Sequence, residues 1–590
     1  MSISKVLHAF RLRLAHVDAL PQLAILGILS GFATGLVAVM FRLGMEWPLA
    51  RLLPGGGSES FETLSPELRF ALPLTGALVI GGIFYLFGHQ AQQVGVGHVI
   101  DRYQRHQAHL PARNAIVQFI GGIFAVVSGH SVGREGPAVH LGAASASLLG
   151  QYFKLPNNSL RVLVGCGVAS AIAASFNTPL AGVIFAMEVV LMEYTITGFV
   201  PIILAAVCGA ISSRLVFGDT PAFDMPTLQM SSMLELPYLA LCGLLVGLAS
   251  AAMLQLHALA LRWQNRPIIA RMALAGLIAG SAGVLTPQVM GIGYDTLELA
   301  MLGEASFTLL AIIVVTKLIT STLTLALGIP GGSIGPTLVI GACIGGCLGI
   351  IGKAFSPADS ALIGFYALVC MGAMMAGVLN APLAALLALL ELTYNPGVLL
   401  PAMLVIVITC ITTRQLSKQP GLFMVGRDSG DAHSPVAQAL NRVGVTSAMT
   451  HDYLVRGRYL GKTAAHAALE QRPEWIVFEA LDPVATNARN PPHILRAADL
   501  ARYLDSNEAE AGQSDAGAAE NGAEDTIDLL NIPGERWRLH PVSARDTLHE
   551  VRKLLQRKHG HAAGVYNDIS GASDALAGII TLERIDRYYQ

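Results

Sequence analysis

The residues best suited to chemistry are Gly133-Arg134-Glu135-Gly136-Pro137 and, 199 residues later, Gly332-Ser333-Ile334-Gly335-Pro336. Each is a glycine-rich turn leading into an apolar run with the composition of a helix, Ala138–Leu149 and Thr337–Ile351. A helix start presents unpaired N–H groups and a partial positive charge of about half an elementary unit. Glycine lets the backbone approach an ion closely, and proline in the first turn removes a donor that would be unpaired anyway. Two such ends converging would hold an anion on amides, without a fixed Lys or Arg that would bind it too tightly to release. Glu135 lies inside the first turn. Ionised, it competes with an anion for the same place; protonated, it withdraws, so it is suited to be a gate and a proton carrier. One such turn would be explained by close helix packing, but a duplicated pair is not.

These turns need a setting, and composition supplies it. The 590 residues are 53% hydrophobic and only 13% charged, against about 25% charged in soluble domains. From Gln22 to Arg414 apolar stretches such as Leu236–Leu261 and Leu309–Leu327 follow one another, approaching the ~20 residues that cross a bilayer. The chain is therefore expected to be polytopic in a lipid bilayer. Lys5, Arg11 and Arg13 precede the first apolar stretch with no cleavage pattern, which predicts a retained, cytoplasmic N-terminus. All seven cysteines lie in the apolar region and show no metal-ligand spacing. Neither a cofactor nor a nucleic acid is implied, and the net charge of −2 points to no partner.

Gly and Pro interrupt many apolar segments, at Gly121-Gly122, Pro179, Pro201, Pro330-Gly331-Gly332, Pro382 and Pro401 among others. Freed backbone groups in hydrocarbon must find partners inside the protein, which predicts broken and re-entrant helices. The chain also repeats itself. Gly95-Val96-Gly97 matches Gly291-Ile292-Gly293, the two turns match, and Asn177-Thr178-Pro179-Leu180-Ala181 matches Asn380-Ala381-Pro382-Leu383-Ala384, at offsets of 196, 199 and 203. Glu188 and Glu391 follow at equal distances. Repeats with helices interrupted at corresponding places point to a transport site between two halves, here about 22–217 and 230–425.

Gly133-Arg134-Glu135-Gly136-Pro137 matches the GREGP signature of the CLC chloride channel and transporter family letter for letter, and Asn177–Gly182 followed by Glu188 resembles it too. The resemblance runs from about Gly27 to Phe423. It implies an all-α membrane domain of two antiparallel halves, a homodimer with one pore per subunit, chloride or a similar small anion as substrate, and Glu135 as external gate. It carries the anion site onto Val96, Gly97, His98, Gly133, Arg134, Gly136, Ser333, Ile334, Gly335 and Phe423. Three of these depart from the family: Val96 stands for a serine, Ile334 for a phenylalanine and Phe423 for a tyrosine. The inner proton-delivering glutamate of many of the family's exchangers falls on Val189, which favours a channel over a proton-coupled antiporter, with Glu193 one turn on as a candidate substitute.

After residue 425 the chain reads as soluble α/β. Trp475–Phe478 predicts a buried strand, Asp546–Arg557 an amphipathic helix, and Ala563–Tyr566 and Leu576–Thr581 strands. Residues 440–505 and 531–590 resemble a CBS pair, joined by an expected linker over 506–530. Nucleotide binding in such pairs often uses Ser/Thr and an Asp three residues later; Thr581 is followed by Arg584 and Asp499 is preceded by Arg496, so the pattern does not support it. Gly457–Thr463 is one residue short of a phosphate-binding loop, and His559 and His561 lack cysteine partners for a metal. Among rival classes, a cation transporter would have to rely on Asp295 and Glu298, and no enzyme motif lies in an apolar segment.

Overall fold

The computed structural model describes residues 10–15, 19–53, 60–219, 228–355, 362–426, 434–479, 492–511, 526–567 and 576–588. They form two compact units. One is Leu20–Lys154 with Leu160–Gly430; the other joins Met1–Ala19 and Leu155–Ser159 to Asp431–Gln590.

In the first unit, nine helices among the described residues are long and apolar enough to cross a membrane, from Leu20–Leu52 to Pro396–Met424. Others are too short. Val96–Arg105 and Pro179–Phe185 reach only roughly 15 and 10 Å, against a hydrocarbon core of ~30 Å. Several expected interruptions are helix starts: Pro179 and Pro382 open helices, and Asn177 and Asn380 precede them in left-handed conformation, at φ 59° and 56°. Pro201 is different, because the helix Ile196–Phe217 continues through it. Neighbouring helices re-satisfy the backbone around a proline buried in such a bundle.

The two halves run in opposite directions. Glu188, near the end of the Pro179–Leu191 segment, accepts from Leu383 N (3.2 Å) and Ala384 N (2.8 Å) at the start of Pro382–Thr393. Glu391, near the end of Pro382–Thr393, accepts from Leu180 N (3.0 Å) and Ala181 N (2.7 Å) at the start of the other. Each carboxylate satisfies the orphan donors of its neighbour's first turn. Such reciprocity requires the two segments to lie side by side and antiparallel.

Small residues set how closely helices pack within each half. A methyl group at Gly142 would meet Ala171 Cβ at 2.7 Å, and one at Gly341, 199 residues on, would meet Cys370 O at 2.5 Å. Glycine there lets Glu135–Tyr152 lie against Asn157–Phe176, and Ile334–Phe355 against Ile363–Leu379.

The tail contains a six-stranded sheet in the order β1-β3-β4-β6-β7-β8. These strands are β1 Tyr453–Arg456, β3 Trp475–Phe478, β4 His493–Arg496, β6 Arg536–Ser543, β7 Ala562–Tyr566 and β8 Gly578–Thr581, while β2 Tyr459–Gly461 and β5 Thr526–Asp528 pair in a separate two-stranded sheet. In each half a parallel pair, β1 with β3 or β6 with β7, is followed by an antiparallel third strand, as a CBS-like pair requires. Two boundaries differ from expectation. Helix Ala497–Ala511 and strand Thr526–Asp528 occupy parts of the expected linker, because Leu500, Leu504 and Ile527 bury apolar side chains in the first tail core; 512–525 lies outside the described residues. Leu440, Val443 and Val445 instead pack with Val542, Leu548 and Val551 of the second repeat. That stretch is therefore built into the other core, and Val445 N donates to Asp546 O at 2.8 Å.

Candidate functional site

The two glycine-rich turns meet. Gly133 N donates to Gly332 O and Gly332 N to Gly133 O, both at 2.7 Å, in an antiparallel bridge. The approach depends on glycine: a methyl group at Gly136 would stand 2.6 Å from Gly332 Cα. From this junction the helices Glu135–Tyr152 and Ile334–Phe355 set out, so their free N–H groups and positive ends lie together.

Glu135 is fully buried at that point. Its carboxylate folds back over Gly133 and accepts from Gly335 N at 3.3 Å on one oxygen and from the Tyr294 hydroxyl at 2.6 Å on the other. Tyr294 opens helix Tyr294–Leu302 directly after Gly291-Ile292-Gly293, and Gly293 sits in left-handed conformation at φ 87°. Ser333 is 2% exposed, and its hydroxyl has no hydrogen-bond partner among the described residues. Amide and phenol donors from the second half thus converge on a carboxylate from the first, with an unspent hydroxyl in the same turn. Such a place can take a small anion when the carboxylate leaves it.

Arg134 points elsewhere. Its Nη1 lies 3.6 Å from Glu46, which also pairs with Arg42 at 2.6 Å, and its guanidinium stands 5.7 Å from the Tyr294 ring centre. Glu46, Arg134, Gly291 and Ile292 border a small recess beside the turns. Lys317 is wholly buried and donates to Val289 O at 3.1 Å, two residues before the Gly291-Ile292-Gly293 turn.

The remaining expected positions form a second group. Val96 and His98 are buried at the start of Val96–Arg105, a helix that packs on the turn Ala186–Leu191 holding Val189 and on the short turn Leu422–Met424 holding Phe423. Val189 is buried in a π-helical turn, a form often found at functional sites. Glu193 lies beyond it, 3.9 Å from Arg161. Ile334 lines an apolar cavity with Phe185, Leu338 and Met375. Asp295 accepts from Thr296 N at its own helix start.

Sequence reasoning missed two residues here. Tyr294 occupies the place in the second half that His98 occupies in the first, and that correspondence was available as a signal. His140 is buried against His98, with ring centres 5.3 Å apart.

Comparison with known proteins agrees with this geometry. Residues 76–414 match the family described as voltage gated chloride channel. A ClcB-like protein of Ralstonia nicotianae, named as a chloride channel protein, is 31% identical over 66% of this chain and 92% of its own length. The H(+)/Cl(-) exchange transporter ClcA of Salmonella arizonae is 26% identical over 69% of this chain and 88% of its own. A crystal structure of a eukaryotic CLC transporter superposes with a TM-score of 0.55 at 18% identity, covering 98% of both chains. With family-matching residues spanning both repeats and the two turns closed around one carboxylate, the chain belongs to the voltage gated chloride channel family and carries anions across a membrane.

Proposed function

We propose that the protein exchanges chloride, or a similar small anion, for protons, with Glu135 as both gate and proton carrier. One observation carries this reading: the Glu135 carboxylate occupies the place where the Gly335 amide and the Tyr294 hydroxyl converge. An anion entering there must displace the carboxylate, and a displaced carboxylate meeting water can take up a proton. Occupancy of the site and protonation of Glu135 are then two faces of one step. The similarity to exchange transporters supports the same reading. Gly133, Gly136, Ser333, Ile334 and Gly335 form the outer part of the anion's path, with Arg134 drawing anions toward it. Val96, Gly97, His98 and Phe423 form the inner part.

Hydroxyls are scarce where the family's anion ligands are expected, at Val96 and Phe423. Tyr294 and Ser333, both in the second repeat, supply two, so selectivity among small anions rests on that repeat. We further propose a homodimer in a bacterial inner membrane with both termini cytoplasmic and the CBS-like tail supporting the dimer. Thr581 caps its helix by accepting from Arg584 N (3.3 Å), and Asp499 pairs with Arg502.

A channel is the second reading, favoured by Val189, which cannot carry a proton. Purified protein in liposomes under an imposed chloride gradient decides between them. Exchange predicts uphill proton movement in step with anion flux, and Glu135→Gln stops the protons while anions still pass. Anion flux with no proton movement in the native protein would establish the channel.

A further inference from the structure

We infer that His98 and His140 form the inner proton station of this transporter, in place of the glutamate absent at Val189. The inference rests on the exchange reading above. His140 is wholly buried and His98 is 3% exposed. They come from different helices, His140 from the helix that Glu135 opens and His98 from the start of Val96–Arg105. Their rings meet edge to face at 5.3 Å. On one side the pair is anchored. Gly95 N stands 3.3 Å from His140 Nδ1 and donates to Gln118 Oε1 at 2.7 Å, and Gln118 Oε1 is itself 3.3 Å from His140 Nδ1. On the other side His140 Nε2 has no hydrogen-bond partner among the described residues. A buried imidazole nitrogen left open is costly unless it has a use.

The position fits that use. Five residues separate His140 from Glu135, roughly 7.5 Å along the helix. Val96–Arg105, which carries His98, packs against the π-helical turn of Val189. The pair therefore bridges the gap between the outer carboxylate and the element where the family's inner acid is expected.

Among the described residues the other charged groups on the neighbouring elements face elsewhere, and Glu193, one turn beyond Val189, faces Arg161 at 3.9 Å. Glu135 is held by Tyr294 and Gly335. Glu188 caps Leu383 and Ala384, and Asp101 faces Arg105 and His106. Arg102 donates to His109 O, Arg161 lies over Tyr103, Arg113 faces Phe87, and Arg42 pairs with Glu46. Lys353 stands in the last turn of Ile334–Phe355.

In the transfer step an N–H bond on the imidazole breaks and an O–H bond on the Glu135 carboxylate forms, relayed by water. The imidazole is then refilled by a proton from the inner side. Protons and charge balance with no other reactant.

The test uses the full chain in liposomes, with chloride and proton fluxes recorded together. His140→Gln keeps an acceptor for Gly95 N but cannot carry a proton, and it should lower the ratio of protons to chloride by about tenfold or more. His98→Gln should lower it in the same direction, and it decides the matter if the first variant fails to assemble. A native ratio in both variants overturns the inference while leaving exchange intact. Absence of uphill proton movement in the native protein removes the exchange reading, and this inference with it.

Discussion

The two halves of the membrane unit use the same turn for different chemistry. In the first, Gly95-Val96-Gly97 leads to His98; in the second, Gly291-Ile292-Gly293 leads to Tyr294. Behind each turn stands one buried polar side chain, 199 residues apart. Gln118 accepts from Gly95 N and donates to Pro330 O at 3.0 Å, and Lys317 donates to Val289 O. Both side chains pin the backbone near the glycines. The acid has no such counterpart: Glu135 in one half faces Tyr294 and Gly335 from the other. Repetition therefore builds the cradle, and the departures from repetition give it direction. A site whose halves were chemically equal would have no group able to trade places with an anion.

The largest effect should come from removing the asymmetry itself. Glu135→Gln keeps the size of the side chain but cannot ionise, so anion flux recorded between about pH 4 and pH 7 should lose its dependence on pH. Flux recorded over that range checks this, and a retained pH profile would remove Glu135 from the role.

Tyr294 comes next. On the proposed exchange its hydroxyl, which donates to Glu135 here, turns to the anion once the carboxylate leaves, so Tyr294→Phe alone should change anion affinity little. In a Glu135→Gln background the same change should weaken anion binding by roughly tenfold, about 1.4 kcal/mol. Calorimetric titration of the four proteins of this double-mutant cycle gives the comparison. Equal losses in both backgrounds would mean that Tyr294 does not switch partners.

Lys317 and Gln118 allow a direct test of equivalence. Lys317→Met strands the buried Val289 carbonyl, costing roughly 1–3 kcal/mol, and should lower the thermal transition of the purified protein. Lys317→Gln installs the first half's residue and should cost less. The reciprocal carboxylates are a smaller case: Glu188→Gln and Glu391→Gln should each weaken a helix start by about 1 kcal/mol, and by similar amounts. Markedly unequal losses would show that one of the two does more than cap its neighbour.

Much of this was legible from residues alone. Glu135 is visible because a carboxylate in a glycine-proline turn within an apolar run has few other uses, and the repeat because three matches share one order. The antiparallel arrangement was not legible from the residues by themselves, since equal spacing of Glu188 and Glu391 is compatible with either direction until their partners are known. Tyr294 escaped because it follows the repeated glycines rather than belonging to the repeated pattern. His140 escaped because one histidine within a helical run looks like ordinary core; only its contact with His98 and Gly95 sets it apart. In the tail, low apolar content hid the last turns of Ala497–Ala511, where a few leucines suffice to hold a charged helix against a core.

The smallest predicted effect lies in the tail, where strand pairing places His493 opposite Arg538. Burial, and then Arg538, push His493 below its ordinary value; burial, Arg538 and Lys558 do the same to His540. Both imidazoles therefore prefer to be neutral in the folded tail, while the unfolded chain takes up protons at the ordinary histidine value of about 6.5. As pH falls through that value the unfolded state binds more protons than the folded one, so stability is lost on acidification. Hydrogen exchange of β4 and β6 amides in the full chain should accelerate between pH 7 and pH 5, after correction for the intrinsic pH dependence of exchange. Arg538→Gln removes a positive neighbour from both rings and should flatten that dependence without reversing it, because burial remains. A variant with the native slope would assign the sensitivity to burial alone.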